Sequence, residues 1–226
     1  MVRPLIEPTR QEERPEVIHF PSTLPPIEKQ FDPISPSELG GAKILPGDTH
    51  DEESDAALAW GRVIHMLLEL LPGLSSERRS DSGSSLIAAH PDAALISDPT
   101  ELLNEALNLI EAEHSRWIFS DGLAEVPITA CLPTLEGQRI YGIIDRLVDR
   151  DDAVWILDYK SNRIVPNTPE ETPEGLIRQM AAYRDAVRLL FPEKPIRAAL
   201  LWTRTGEMTL LPDALMDAAL ARVSIP

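Results

Sequence analysis

The sequence predicts an α/β domain of the α+β kind, ordered helix, three antiparallel strands, helix, strand (αβββαβ). Three observations carry that expectation. Apolar residues recur at helical spacing from Asp55 to Leu71. The period then falls to two across three runs between Ala124 and Tyr159, separated by the turn-like stretches LEGQ and RDD. A helical period returns from Pro173 to Leu190, and a further strand-like run follows it.

Residues 1 to 54 read as an extended, acidic, Pro-rich segment. Eight of the 21 prolines fall within the first 36 residues, and the segment ends in the acidic run DTHDEESD. Few apolar residues stand between these breakers. Ser35-Pro36-Ser37 is where order would begin, and residues 55 to 226 form the domain proper. The first helix, DAALAWGRVIHMLLELL, carries Leu58, Ile64, Leu67, Leu68 and Leu71 on one stripe and stops at Pro72-Gly73. SSERRSDSGSS, residues 75 to 85, reads as a loop or flexible connector. A second helix is expected from Pro99 to Trp117, with Asp98 or Ser97 as its cap.

Ala124–Ala130, Arg139–Asp149 and Ala153–Tyr159 are the three strands, joined as hairpins. The Pro-rich loop VPNTPEETPEG leads to the helix of Pro173–Leu190. Arg197–Thr203 and Glu207–Leu211 read as a closing strand pair, and a short helix follows Pro212.

Composition narrows the function. With 43% hydrophobic and 26% charged residues, the 226-residue chain has the make-up of an ordinary globular protein. Cys131 is the only cysteine. An intrachain disulfide, a thiolate zinc site and an iron–sulfur cluster are therefore excluded, and a reducing, cytoplasmic setting is expected. No apolar run has the length of a membrane span, so no membrane association is expected, and the N-terminus has no signal-peptide apolar region. The formal charge of −16 runs against nucleic-acid binding. Its distribution softens that objection, because Arg139 to Arg204 holds 11 Lys and Arg against 10 Asp and Glu. Weak DNA binding by this chain alone is expected, with another domain or subunit delivering the strand.

Chemistry concentrates between Tyr141 and Tyr183. With a turn centred near Asp151, Asp145 would face about residue 157, one step from Asp158. Asp158 and Lys160 are two apart and share a strand face. Two carboxylates and an ammonium would thus converge, an oxygen-rich donor set suited to Mg²⁺ or Mn²⁺. Asp and Lys near a strand end are more often a solvated ion pair, but here each aspartate ends a strongly apolar run, YGII and VWIL. Gln179 and Tyr183 are four apart and share a helix face, an arrangement that also suits the polar flank of a packed surface. His65 lies between Ile64 and Met66 with Glu69 one turn on, where a buried structural histidine is the commoner explanation.

GRVIHMLLELLPGL, AEVPI, YGIIDRLV, ILDYKSNR and LIRQMAAYRDAV followed by LLWT, taken together, resemble the RecB/AddA-type C-terminal nuclease of the PD-(D/E)XK superfamily, most nearly the AddA subunit of AddAB helicase–nucleases. Five blocks occur in family order, over roughly Ser35 to Pro212. The resemblance implies a restriction-endonuclease-like core with a central mixed sheet flanked by helices. It implies a magnesium-dependent DNA exonuclease acting in double-strand-break repair and recombination, with DNA, a helicase domain and an AddB-like subunit as partners. By the same resemblance His65, Asp145, Asp158 and the Tyr159 carbonyl are metal ligands, and Asp145, Asp158 and Lys160 are catalytic. Glu125, Arg146, Gln179 and Tyr183 bind DNA or support the site. The chain lacks a Walker G-x-x-x-x-G-K-[ST] motif, so it carries no helicase motor. The cysteines of the iron–sulfur staple found in some relatives are missing, and SNR follows the DYK lysine where a threonine is common. Alternatives are a catalytically silent DNA- or partner-binding scaffold and a free-standing nuclease.

Overall fold

A computed structural model of the chain describes residues 32–43, 55–162 and 164–224. The sequence reading of residues 1–31 and 44–54 lies outside them. Among the described residues, four helices come first: α1 (Asp55–Leu70), α2 (Ser76–Ala89), α3 (Pro99–Glu111) and α4 (Arg116–Ser120). Strands β1 (Leu123–Leu132), β2 (Gln138–Asp149) and β3 (Val154–Lys160) follow, then α5 (Glu174–Leu190), β4 (Ile196–Trp202), β5 (Glu207–Leu211) and α6 (Asp213–Leu220). The five strands form one mixed sheet in the order β1-β2-β3-β4-β5, antiparallel except where β3 and β4 run parallel. That parallel pair needs a crossover, and α5 supplies it.

Over β3 and β4 the sheet is covered on both faces. On one, α5 and α6 bury Met180, Ala181, Tyr183 and Met216 against Ile140, Ile144, Ile156 and Leu200. On the other, Val63, Ile64 and Leu67 of α1 and Leu102 of α3 pack on Leu157, Tyr159 and Leu201. A strand covered on both sides must be apolar throughout, which explains VWIL in β3. Fully burying each such side chain contributes about 1.5–3 kcal/mol. No helix among the described residues is long and apolar enough to cross a membrane.

Three details depart from the sequence reading. The stretch SSERRSDSGSS is helical rather than loop: after Ser75, the N-cap residue, it lies within α2. Its propensity is poor, but tertiary contacts outweigh it: Gly83 lets α2 approach Leu103 and Leu71 closely, and Arg79 donates to the carbonyls of Leu71 and Leu74, each at 3.2 Å. The expected Pro99–Trp117 helix divides into α3 and α4 where the Ser115 hydroxyl donates to the Leu109 carbonyl at 2.6 Å, while its start is capped as expected by Asp98 on Glu101 N–H. The β2–β3 register is one residue from the expected one, pairing Arg146 with Leu157. The turn closes through Arg150 N–H to Ala153 O, so its centre falls between Asp151 and Asp152.

This register positions the site. β2 and β3 pair only from Arg146 and Leu157 to the turn. Farther along β2, Ile34 takes the place of β3, donating to Arg139 O and accepting from Tyr141 N–H. The strands therefore part at Asp145 and Asp158 and leave a fork. Residues 32–43 line one side of it, with Pro36 and Leu39 buried and Gly175 N–H donating to Ala42 O.

Candidate active site

Residues from five elements meet at the fork. α1 brings His65 from one sheet face, and α5 brings Gln179 and Tyr183 from the other. Asp145 of β2 and Asp158 of β3 stand where the strands part, and Glu125 of β1 lies between the paired residues Ala124 and Val126. Glu125 has φ +48°, a left-handed backbone that side chains rarely adopt. At this level the side-chain alternation of β2 slips by one: Ile144 and Leu147 both join the α5 face, whereas Val148 joins the α1 face.

Ligating atoms of His65, Glu125 and Asp145 all lie within 4.8 Å of one another. His65 Nε2 is 3.2 Å from the Tyr159 carbonyl, and its Nδ1 is 3.6 Å from Asp145 Oδ2. Asp145 Oδ2 also accepts the Tyr159 N–H at 2.6 Å. Asp158 sits in a second group: its Oδ1 accepts from Gln179 Nε2 at 2.8 Å, and its Oδ2 is 2.5 Å from Lys160 Nζ. Tyr183 lies beneath this pair, hydrogen-bonded to the backbone of Ile143 and to Gln179.

The electrostatics follow from burial. Asp145 and Asp158 are only 9% and 4% exposed. Burial first, then the charge of Asp158, pushes the Asp145 carboxyl well above the usual carboxylate range. Glu125 is raised by burial, with Glu69 and Asp158 adding to it. Burial holds the His65 imidazole below its ordinary value, so the ring is neutral at neutral pH. Burial also opposes the Lys160 ammonium, but attraction to Asp158 and Asp145 outweighs it and the net shift is upward. Lys160 therefore stays protonated and acts as a donor and a positive charge, not as a base.

These residues fit a divalent cation. A carbonyl can only accept, so the neutral His65 ring carries its proton on Nε2 and turns the lone pair of Nδ1 toward Asp145. Two acceptors facing one another, with a third acceptor, the Glu125 carboxylate, beside them, need a proton or a cation between them. Carboxylates with one imidazole are a donor set for Mg²⁺ or Mn²⁺.

The structure thus gathers His65, Asp145, Asp158, Tyr159, Lys160 and Glu125 around the fork. Gln179 and Tyr183 support it from below, both buried. Arg146 turns elsewhere: it is buried, donating from Nε to Ile118 O and from Nη2 to Phe119 O, each at 2.9 Å, and so fastens α4 to β2. One neighbour escaped the sequence reading. Arg204 donates from Nε to Ser161 O at 3.0 Å and lies 4.5 Å over the Trp60 ring, whose Nε1 donates to Glu105. Its only sequence signal is position, since parallel β3 and β4 deliver residues 161 and 204 side by side.

The mixed sheet thus opens around an Asp…Asp-x-Lys set with a helical histidine above, a donor set that would suit a divalent cation. Comparison with known proteins supplies the class. A sequence model of the PD-(D/E)XK nuclease superfamily matches residues 39–220. The chain belongs to that superfamily. A search of curated proteins finds no match. Among solved structures, the crystal structure of a protein designated SSO0001 aligns at 12% identity over 76% of this chain and 84% of that one, with a TM-score of 0.33.

Proposed function

We propose that the chain hydrolyses DNA phosphodiesters with a divalent metal, Mg²⁺ or Mn²⁺, as the exonuclease domain of an AddA-like helicase–nuclease in double-strand-break repair and recombination. The observation that carries the hydrolytic part is the pairing of two functions in one fork. Acceptors of His65, Asp145 and Glu125 face one another, while Lys160 is kept as an ammonium by Asp158. His65, Asp145 and Glu125 would hold the cation, with Asp158 and the Tyr159 carbonyl as the neighbouring oxygens. Bound there, the cation supplies positive charge for the scissile phosphate and acidifies water. Lys160 orients the attacking water and offsets negative charge developing on the phosphate. Gln179 fixes the Asp158 carboxylate so that the Lys160 ammonium stays aimed into the fork.

The AddA-like placement rests on the five ordered sequence blocks. It carries with it a helicase domain and an AddB-like subunit as partners in a reducing, cytoplasmic setting.

The test is cleavage of linear single- and double-stranded DNA with Mg²⁺ or Mn²⁺, running Asp158→Ala and Lys160→Ala beside the parent. Cleavage by the parent that EDTA and both substitutions abolish is the expected result. A variant that keeps the fold and cuts at near-parental rate would sink the assignment. A parent inert with both metals, alone and with a helicase partner, would move the function to DNA or partner binding without catalysis.

A further inference from the structure

Among the described residues, the fork opens onto a part of the sheet that no helix covers. The helices on the α1 side pack over β3 and β4, whereas the β1–β2 ribbon beyond the fork stays bare on that side. On this bare face successive cross-strand pairs lead toward the metal cluster: Thr129 with Tyr141, then Pro127 with Ile143. In the same register, the next two residues along are Glu125 and Asp145. Each step is two strand residues, about 6.7 Å. Tyr141 is 51% exposed and Ile143 is 43% exposed, while the intervening Gly142 faces Tyr183 on the covered side. The Thr129 hydroxyl is already spent on the Ile140 carbonyl at 2.9 Å.

The chemistry of these two rungs is specific. They carry no charge and no unused side-chain donor except the Tyr141 hydroxyl, so they offer a phosphate little. An aromatic ring flanked by isoleucine and proline offers a flat apolar surface instead, and every nucleobase has a matching π-face. A duplex would present its phosphates to this ribbon and hide its bases. A single strand can turn its bases inward.

Resting on the nuclease reading of the adjacent fork, we propose that the β1–β2 ribbon is a base-stacking platform for single-stranded DNA, with Tyr141 stacking on a base about 13 Å along the ribbon from the fork. The strand is held here through its bases, which suits a chain of net charge −16 that cannot rely on phosphate attraction. Specificity for unpaired DNA then comes from the ribbon, and cleavage from the fork.

The experiment is fluorescence anisotropy of a short labelled oligothymidylate with the full chain in EDTA, where no cleavage occurs. Tyr141→Ala, Tyr141→Phe and an oligonucleotide with abasic sites are run in parallel. Stacking predicts that Tyr141→Ala weakens binding roughly 5- to 150-fold. Tyr141→Phe should stay within about twofold of the parent, and the abasic strand should bind the parent as poorly as oligothymidylate binds Tyr141→Ala. A parent that does not bind, a Tyr141→Ala variant that binds like the parent, or equal affinity for the abasic strand overturns the platform. In the last two cases another segment of the chain or a protein partner is the better occupant of the patch. The two readings fail separately. Tyr141-dependent binding by a parent that never cleaves would sink the nuclease reading alone, and Asp158-dependent cleavage with Tyr141-independent binding would sink the platform alone.

Discussion

Gly142 is the position where one methyl group should reach the Asp158 carboxylate. A Cβ there would lie 2.6 Å from Tyr183 Oη, 2.8 Å from Tyr183 Cε1 and 3.0 Å from Pro36 Cδ. All three separations are too short, and the neighbours are a buried ring and a proline on a packed segment, so little can give way. Overpacking of this sort costs about 1–3 kcal/mol. Replacing a strand glycine returns roughly 0.5–1 kcal/mol. The balance for Gly142→Ala is a loss of about 1–2 kcal/mol, or roughly 2–8 °C in melting temperature for a chain of this size. The functional effect should exceed the stability effect. Tyr183 must shift, Tyr183 bonds Gln179, and Gln179 holds Asp158 Oδ1 at 2.8 Å. Thermal unfolding by circular dichroism measures the first effect and metal-dependent cleavage at a temperature well below the transition measures the second. Tyr183→Phe removes the nearest clashing atom, so the double variant should lose less stability than the sum of the singles. A Gly142→Ala protein with parental melting and parental cleavage would refute the chain of contacts. Strictly additive losses would refute the part assigned to Tyr183.

Further outcomes follow from other parts of the structure. Arg184 is 1% exposed and bonded to buried Asp185 and to exposed Asp213 and Asp217 of α6. Arg184→Leu leaves Asp185 with Thr134 and the more distant Arg188, so it should cost about 2–4 kcal/mol, read as a lower urea midpoint at unchanged m-value. Burial holds the Glu105 carboxyl above its ordinary value, against the pull of Thr203, Arg204 and Trp60. A raised folded-state value means that stability is greatest in acid and falls as pH rises through that value. Glu105→Gln, which still accepts from Trp60, should therefore gain on the parent at neutral pH and lose that advantage below about pH 4, the range of an unfolded glutamate; a gap constant with pH would contradict this. Mg²⁺ should raise the melting temperature of the parent, by an amount equivalent to about 2.7 kcal/mol at a hundred times its dissociation constant. Glu125→Gln and Asp145→Asn should reduce that rise, and an undiminished rise in both would remove them from the metal site.

The order and nearly all the boundaries of the elements were legible in the sequence because period and punctuation act locally. VWIL bounded by RDD and DYK specifies a doubly covered strand wherever it is placed, and Asp98 caps α3 through its own chain neighbours. What escaped the sequence depends on partners distant in the chain. SSERRSDSGSS becomes helical because Leu103 and Leu71 accept a glycine-sized gap and Arg79 finds the carbonyls of the turn that follows α1. Arg146, which the resemblance assigned to DNA binding or to support of the site, is claimed by two α4 carbonyls. Within the site, spacing pointed to Asp145, Asp158 and Lys160, and the family resemblance to Glu125 and His65, yet neither could divide them into two groups. That division depends on where β2 leaves β3. Had the hairpin turn centred on Asp151, the cross-strand partner of Asp145 would have been Leu157, and its side chain would meet the α1-face core. Centred one half-residue later, the turn sets Asp145 beside Asp158 at the point of separation. Ile34 then fills the vacated edge of β2, the alternation of β2 slips opposite the left-handed Glu125, and a carboxylate, a second carboxylate and a histidine face one another. A half-residue shift in one turn is thus what converts two strand ends into a site with a place for a cation.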